Sequence, residues 1–197
     1  MAVKADIGLT FATALKAYLR QEPDVIMVGE VRDIETASIC VRAALTGHFV
    51  LSTLHTNDAA SAITRLIDIG IPPYLLTPSL ILILAQRLAR RLCPKCKEAY
   101  EPDTQPHATI KFKSDLIYKA KGCEECNNTG YRGRLVVGET LVIDDEIRKL
   151  VGKGATDQEI KDLARKNGMA TVFESGLRLV DAGFTSFEEI ARVSVDQ

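Results

Sequence analysis

Two Cys-x-x-Cys pairs constrain this chain more than any other feature of its sequence: Cys93 with Cys96, and Cys123 with Cys126. Each pair offers two thiolates from one tight turn, and four sulfurs complete the closed tetrahedral shell of a structural zinc site. Two alternatives are four reduced cysteines without metal and a redox dithiol, although two matched pairs exceed what redox chemistry needs. The spacing predicts a structural zinc site, which holds a small segment together without defining an activity.

The overall composition is that of an ordinary globular protein. A formal net charge of −1 over 197 residues gives no general attraction to nucleic acid or anionic lipid. The longest apolar run, Leu80–Ala85, is far shorter than the ~18 residues of a membrane span and is predicted to be a buried helix. With no signal peptide predicted, cysteines without disulfides fit a cytoplasmic protein.

Ahead of the cysteines, apolar residues follow helical and strand-like spacing in turn. The predicted elements are a helix capped by Thr10, a strand at Val25–Val28, a helix capped by Asp33, a strand at Phe49–Leu54 and a helix over Asp58–Ile69. The first strand is entirely apolar, which is typical of a strand buried on both faces of a parallel sheet. This order predicts an α/β fold with parallel strands.

The rest of the chain divides into three kinds of sequence. A helix is expected from Thr77-Pro78 to Arg90-Arg91, followed by a glycine- and proline-rich insert and two strands, 135–137 and 140–143, that rejoin or extend the main sheet. The remaining residues predict a compact helical end with three capping boxes, Thr156/Glu159, Thr171/Glu174 and Ser186/Glu189. The expected regions are therefore residues 1–91, 92–134 and 135–197.

Polar residues follow both predicted strands. Gly29 and Glu30 end the first, and Thr53 and His55 lie at the end of the second. Ligands of α/β folds bind at the carboxyl edge of the sheet, where a carboxylate can orient a water or help to hold Mg²⁺ near a terminal phosphate. A surface glutamate in a loop and a structural histidine are the alternatives, but two successive polar strand ends favour a site.

With the cysteines, these stretches resemble the secretion-traffic ATPases, the motors of type II secretion (general secretory pathway protein E) and of type IV pilus extension. The segment from Leu19 to Asp33 is similar to the family's Walker B region, and that from Thr46 to Asn57 is similar to its histidine box. Ala85–Leu88, Leu92–Cys96 and Gly122–Arg134 match the subtype with four cysteines. The resemblance implies part of a RecA-like P-loop ATPase core, extended by a zinc module and a helical end.

The resemblance also implies roles for individual residues. It makes Glu30 and His55 catalytic, with Glu30 polarising the attacking water or supporting Mg²⁺ and His55 near the γ-phosphate of ATP. Four further residues are implied in cofactor binding: Gly29, Arg32, His48 and Thr53. It makes Cys93, Cys96, Cys123 and Cys126 zinc ligands. The implied assembly is a homo-hexamer on inner-membrane platform proteins of a secretion or pilus machine, at the cytoplasmic face of that membrane.

No Gly-x4-Gly-Lys-[Ser/Thr] loop occurs in the chain, so the backbone cradle for phosphate and its lysine are missing. We therefore expect a C-terminal piece of a longer ATPase, inactive alone, whose incomplete sheet exposes apolar surface and favours self-association. One alternative is a zinc-ribbon module that binds nucleic acid, which the near-neutral charge and the absence of a basic-aromatic cluster disfavour. The other is a non-catalytic docking piece. These motifs do not separate type II secretion from pilus extension.

Overall fold

A computed structural model describes residues 10–102 and 112–194, and these form two compact units. The first unit takes residues up to Ile83 together with Leu141–Asn167, and the second takes Leu84–Thr140 together with residues from Gly168 onward. The chain thus enters each unit twice, whereas the sequence predicted three consecutive regions, 1–91, 92–134 and 135–197. The assignment of those regions as domains stays a prediction.

The first unit is an α/β arrangement, which confirms the predicted fold class. Its elements are α1 (Phe11–Leu19), β1 (Val25–Val28), α2 (Ile34–Leu45), β2 (Phe49–Ser52), α3 (Ser61–Ile69) and α4 (Pro73–Ser79), with α5 (Asp145–Gly152) and α6 (Asp157–Lys166) from later in the chain. The predicted caps are present, because Thr10 Oγ1 accepts from Thr13 N at 3.1 Å and Asp33 Oδ1 accepts from Thr36 N at 2.8 Å. Gly70, at φ +112°, ends α3 in the left-handed conformation that glycine adopts most readily.

Strands β1 and β2 pair in parallel, from Val25 opposite Phe49 to Val28 opposite Ser52. The prediction that β1 is buried on both faces is wrong: Ile26 and Val28 join the core, but Val25 is 58% and Met27 75% exposed. An all-apolar strand lacks the polar alternation that would mark its outer face, so its composition does not reveal that helices cover one side only. Strand β2 is also shorter than expected and ends at Ser52.

The helix predicted from Thr77-Pro78 to Arg90-Arg91 does not exist. Helix α4 begins with Pro73 at its first position and ends at Ser79, and strand β3 (Leu82–Leu92) follows, so the expected buried helix over Leu80–Ala85 is wrong as well. The apolar residues misled because Ala85 and Ala89 are both buried, and residues four apart share a face in a strand as well as in a helix. Leu84 and Leu88, each directly before one of these alanines, are exposed, as the alternation of a strand requires.

In the second unit, the described residues form two small sheets and two α-helices. Its elements are most of β3, β4 (Glu98–Tyr100), β5 (Ile117–Lys119), a 3₁₀ turn (Glu124–Cys126), most of β6 (Tyr131–Val142), α7 (Val172–Asp181) and α8 (Phe187–Ser194). Strands β4 and β5 pair antiparallel, and β6 pairs with β3. The prediction of two short strands, 135–137 and 140–143, in the main sheet is therefore wrong. These residues belong to the single strand β6, which pairs with β3. A Cβ at Gly138 would come within 2.6 Å of Ala85 O, so this glycine allows close strand approach and does not interrupt β6.

The C-terminal helices do not form the single compact end that the sequence predicted, because α5 and α6 belong to the first unit and α7 and α8 to the second. Helices α7 and α8 pack closely at Gly176, where an added Cβ would lie 2.5 Å from Ile190 Cγ2. The capping boxes at Thr156/Glu159 and Thr171/Glu174 are both confirmed. No helix in residues 10–102 or 112–194 has the length and apolar character to cross a bilayer.

Candidate functional site

Glu30 and His55 meet at the carboxyl edge of the parallel pair. Glu30 follows β1 and His55 follows β2, and Glu30 Oε2 lies 3.2 Å from His55 Nε2. Parallel pairing brings the ends of the two strands to one edge, where ligands of α/β folds bind. The His55 side chain is 86% exposed, so its ring faces solvent and can meet a ligand. The structure therefore brings together the two residues that the sequence singled out for catalysis.

Thr53 ties the two strand ends together. Its Oγ1 donates to Gly29 O at 2.6 Å, and its carbonyl accepts from Val31 N at 3.0 Å. These bonds extend the β1–β2 pairing past the last residues of both strands and hold the loops that carry Glu30 and His55 side by side. Thr53 and Gly29, predicted to bind a cofactor, bind each other here.

Arg32 lies against Glu30 and completes a charged edge. Its Nε is 2.6 Å from Glu30 Oε2. The hydrogen bond from Arg32 is the largest cause that lowers the pKa of Glu30, and the contact with His55 acts in the same direction. Glu30 is consequently a carboxylate at neutral pH, able to accept a hydrogen bond from water or to contact a cation.

His48, also predicted to bind a cofactor, is not part of this edge. It directly precedes β2, and its Nδ1 lies 3.1 Å from Ala43 O and 3.2 Å from Thr46 Oγ1, where it closes the turn between α2 and β2. The opposite ends of a parallel strand face opposite edges of the sheet, so His48 and His55 are separated by the length of β2.

The four cysteines of the predicted metal site are gathered in one place. All four Sγ atoms lie within 4.8 Å of one another. Individual pairs are 3.9 Å apart for Cys93 and Cys123, 3.8 Å for Cys96 and Cys126, and 3.7 Å for Cys123 and Cys126. With metal–sulfur bonds of about 2.3 Å, the edge of a tetrahedral site is roughly 3.8 Å, so the sulfurs fit a zinc ion.

Backbone amides favour a thiolate at Cys126. The N–H groups of Cys123 and Gly130 each donate to Cys126 Sγ at 3.2 Å. Burial raises the pKa of Cys126, but these amide bonds outweigh it and lower the pKa of this thiol. The cysteine spacing does not predict these amide donors, although the glycine at position 130 is a signal of a special backbone: it adopts φ +75°, a conformation that strongly favours glycine.

Three lysines near the cysteines are engaged by groups other than the sulfurs: Lys95, Lys97 and Lys121. Lys95 pairs with Glu125 and Lys121 pairs with Glu98. Lys97 Nζ donates to Gly183 O at 2.8 Å and lies 4.1 Å from the centre of the Tyr118 ring. These lysines therefore contribute to the structure around the cysteines through contacts of their own.

Comparison with known proteins finds similarity to one group of proteins over nearly the whole chain. A family model described as type II/IV secretion system protein matches residues 1–192. The type II secretion system protein HxcR of Pseudomonas aeruginosa is 50% identical over 194 residues, which are 98% of this chain and 38% of that protein. The type IV pilus assembly ATPase PilB of Thermus thermophilus is 48% identical over 199 residues, covering 98% of this chain and 22% of PilB.

The type II secretion system ATPase E of Vibrio cholerae is similar to the same degree, 47% identical over 195 residues, or 98% of this chain and 39% of that protein. Among solved structures, the pilus retraction motor PilT with bound ADP aligns with a TM-score of 0.67 and 29% identity, covering 94% of this chain and 43% of PilT. The chain thus spans less than half the length of each relative named here.

Proposed function

This chain belongs to the family of type II/IV secretion system proteins, and from that premise we propose that it is part of an ATPase that drives protein secretion or pilus assembly. The observation that carries the proposal is the pairing of Glu30 with His55 at the carboxyl edge of β1 and β2. Names of relatives alone support only a machine of this class, whereas this pair supplies groups suited to hydrolysis of a phosphate anhydride.

Each residue of the edge has a role in the proposed reaction. Glu30, ionised and partly exposed, orients the attacking water or helps to hold Mg²⁺, and His55 contacts the γ-phosphate of ATP. Mg²⁺ held at this edge with the help of Glu30 would supply positive charge to offset that of the phosphates. Arg32 restrains the Glu30 carboxylate, and Thr53 keeps the two loops in register. The groups that grip the other phosphates come from elsewhere in the motor, so this chain alone does not turn over ATP.

The four cysteines hold a zinc ion with a structural role. Their near-tetrahedral spacing and the burial of three of the four support a closed site without an open position for substrate. Zinc here stabilises the segment around β4 and β5, where the sheet has only three residues per strand. This chemistry is separate from the Glu30 edge.

Membership of this family supports a proposal for the setting of the motor. We place the working protein in a homo-hexamer of RecA-like subunits at the cytoplasmic face of the inner membrane, on the platform proteins of a secretion or pilus machine. Relatives named for type II secretion and for type IV pilus assembly are equally similar to this chain, so the proposal covers both. Nucleic acid is not a partner in it.

The experiment compares Glu30→Gln with Glu35→Gln, a change of an exposed glutamate on α2, in a full-length secretion ATPase that contains this segment. Glu30→Gln is expected to lower kcat by about a hundredfold or more, the usual contribution of a general base, and Glu35→Gln to leave it near wild type. Unchanged turnover in Glu30→Gln would refute the assignment of the site. Magnesium-dependent turnover by the chain alone, abolished by Glu30→Gln, would refute its inactivity.

A further inference from the structure

His55 lies in a short segment, residues 53–58, that has neither helix nor strand structure and is held at both ends. At its start, Thr53 is bonded to the loop after β1 through Gly29 O and Val31 N. At its end lies Asp58, three residues before the first residue of α3. The position of the exposed His55 ring therefore depends on two anchors, because the ring's own contact with Glu30 is a single one at 3.2 Å.

Asp58 is anchored through both oxygens of its carboxylate. Oδ1 accepts from the N–H of Ser61, the first residue of α3, at 2.8 Å, and Oδ2 accepts from Lys161 Nζ at 3.3 Å. The two charged side chains are only 18% and 21% exposed, so water screens this ion pair less than the pair of Arg32 and Glu30, which are 73% and 34% exposed. Burial raises the pKa of Asp58, but the bonds from Ser61 and Lys161 outweigh it.

Lys161 belongs to α6, a helix nearly a hundred residues further along the chain than the segment it holds. The same face of α6 makes a second contact with α3, because Thr64 Oγ1 donates to Asp157 Oδ1. Residues four apart lie on one face of a helix, so Asp157 contacts α3 and Lys161 contacts the segment before it from the same side of α6. Helix α6 is thus tied to the end of the segment that carries His55.

We propose that Lys161 is a positioning residue for His55: acting through Asp58, it fixes the end of segment 53–58 and with it the contact of His55 with Glu30. The purpose of this arrangement rests on the proposed ATPase function, whereas its geometry does not. A displacement of α6 would then be transmitted to the edge where ATP is hydrolysed. No feature of the histidine box itself indicates this dependence, since Lys161 lies outside the motif.

The experiment observes the His55 ring directly, by nuclear magnetic resonance of the intact chain without nucleotide. In the wild type, the imidazole resonances of His55 are expected to shift when Glu30 is changed to Gln, because the ring contacts that carboxylate. In Lys161→Met the same change at Glu30 is expected to produce no shift, and in Lys161→Arg the response returns. Lys166→Met, an exposed lysine on the same helix, is the matched control and retains the wild-type response.

A full response to Glu30→Gln in the Lys161→Met background would overturn the inference. Asp58→Asn provides a second variant that weakens the same pair and leaves α6 unchanged, so an unfolded Lys161→Met protein does not prevent a decision. Loss of the response in Asp58→Asn supports the inference, and its retention refutes it. Because no nucleotide is present, this result is independent of the turnover measurement that tests the proposed function.

Discussion

Glu189 and Arg90 are joined by three hydrogen bonds across ninety-nine positions of sequence. The Glu189 carboxylate accepts from Arg90 N at 2.9 Å, from Nε at 2.9 Å and from Nη2 at 2.6 Å, while Arg192 donates two more. No part of the Glu189 side chain is exposed to solvent. A buried carboxylate with five such bonds fastens α8 to β3 within the second unit.

This arrangement predicts a loss of stability in acid. Burial raises the pKa of Glu189, but bonds from Arg192 and Arg90 outweigh it and lower the pKa to about 2. A carboxyl group whose pKa is lowered by folding stabilises the folded state when the pH is above its unfolded-state pKa. This stabilisation is lost as the pH falls through the folded-state pKa. We expect the free energy of unfolding to fall by about 3 kcal/mol between pH 5 and pH 2, measured by urea denaturation. Glu189→Gln should flatten this dependence, and the exposed neighbour Glu188→Gln should not.

Removal of metal should destabilise the chain. We expect one zinc ion per chain by elemental analysis, and a chelator should lower the melting temperature, because a structural zinc contributes several kcal/mol to folding. Cys123→Ser should lose the metal. Cys40→Ser is the control: Cys40 is buried in α2, where burial raises its pKa to about 11 and keeps the thiol protonated. Full zinc content in Cys123→Ser would contradict the four-cysteine site.

Gly183→Ala should destabilise more than its backbone conformation alone requires. Gly183 has φ +69°, and an added Cβ would lie 2.9 Å from Tyr118 Cδ2 and 3.1 Å from Lys97 Nζ. Gly154, at φ +75°, is the matched control because an added Cβ there meets no heavy atom of the described residues within 4 Å. By urea denaturation, we expect about 1 kcal/mol for Gly154→Ala and at least about 2 kcal/mol for Gly183→Ala. Equal losses would show that the contact with Tyr118 is relieved without cost.

The uncovered face of β1 and β2 should cause self-association. Its side chains are large and apolar: Val25, Met27, Phe49 and Leu51. Sedimentation of the chain is expected to show dimers or larger species that dissociate in Met27→Lys combined with Leu51→Lys, because a charged patch resists apolar contact. Tyr74→Lys changes an equally exposed side chain on α4 and should leave association unchanged. A wild-type chain that stays monomeric on concentration would refute the prediction.

The parts of the fold that were predicted correctly from the sequence depend on interactions between residues close together in the chain. Thr10 and Asp33 cap helices through bonds to residues three positions on, so their roles depend on immediate neighbours. Glu30 and His55 met because the helix between β1 and β2 makes their pairing parallel and brings their carboxyl ends to one edge. The paired spacing of the cysteines was likewise sufficient to predict that the four sulfurs lie together.

Distant contacts decided the elements that sequence missed. Strand β3 exists because β6 lies beside it, and its buried Ala85 and Ala89 have a spacing that also suits a helix. At the predicted capping box of α8, Ser186 Oγ does accept from Glu189 N at 3.3 Å, but the Glu189 carboxylate binds Arg90 and Arg192. No local sequence pattern predicts the contact between Arg90 and Glu189, or that between Lys161 and Asp58, because the partners are distant in the chain.

Because each unit is built from two separate stretches of the chain, the order of synthesis constrains when each unit can fold. The first unit needs Leu141–Asn167, so it stays incomplete until all four cysteines have been synthesised. The second unit in turn needs residues from Gly168 onward, so it stays incomplete until α7 and α8 have been synthesised. Domains usually fold as units in the order of synthesis, but here a nascent chain must keep both halves open at once. Early metal capture by the cysteines would close one loop of that open chain before either core is sealed.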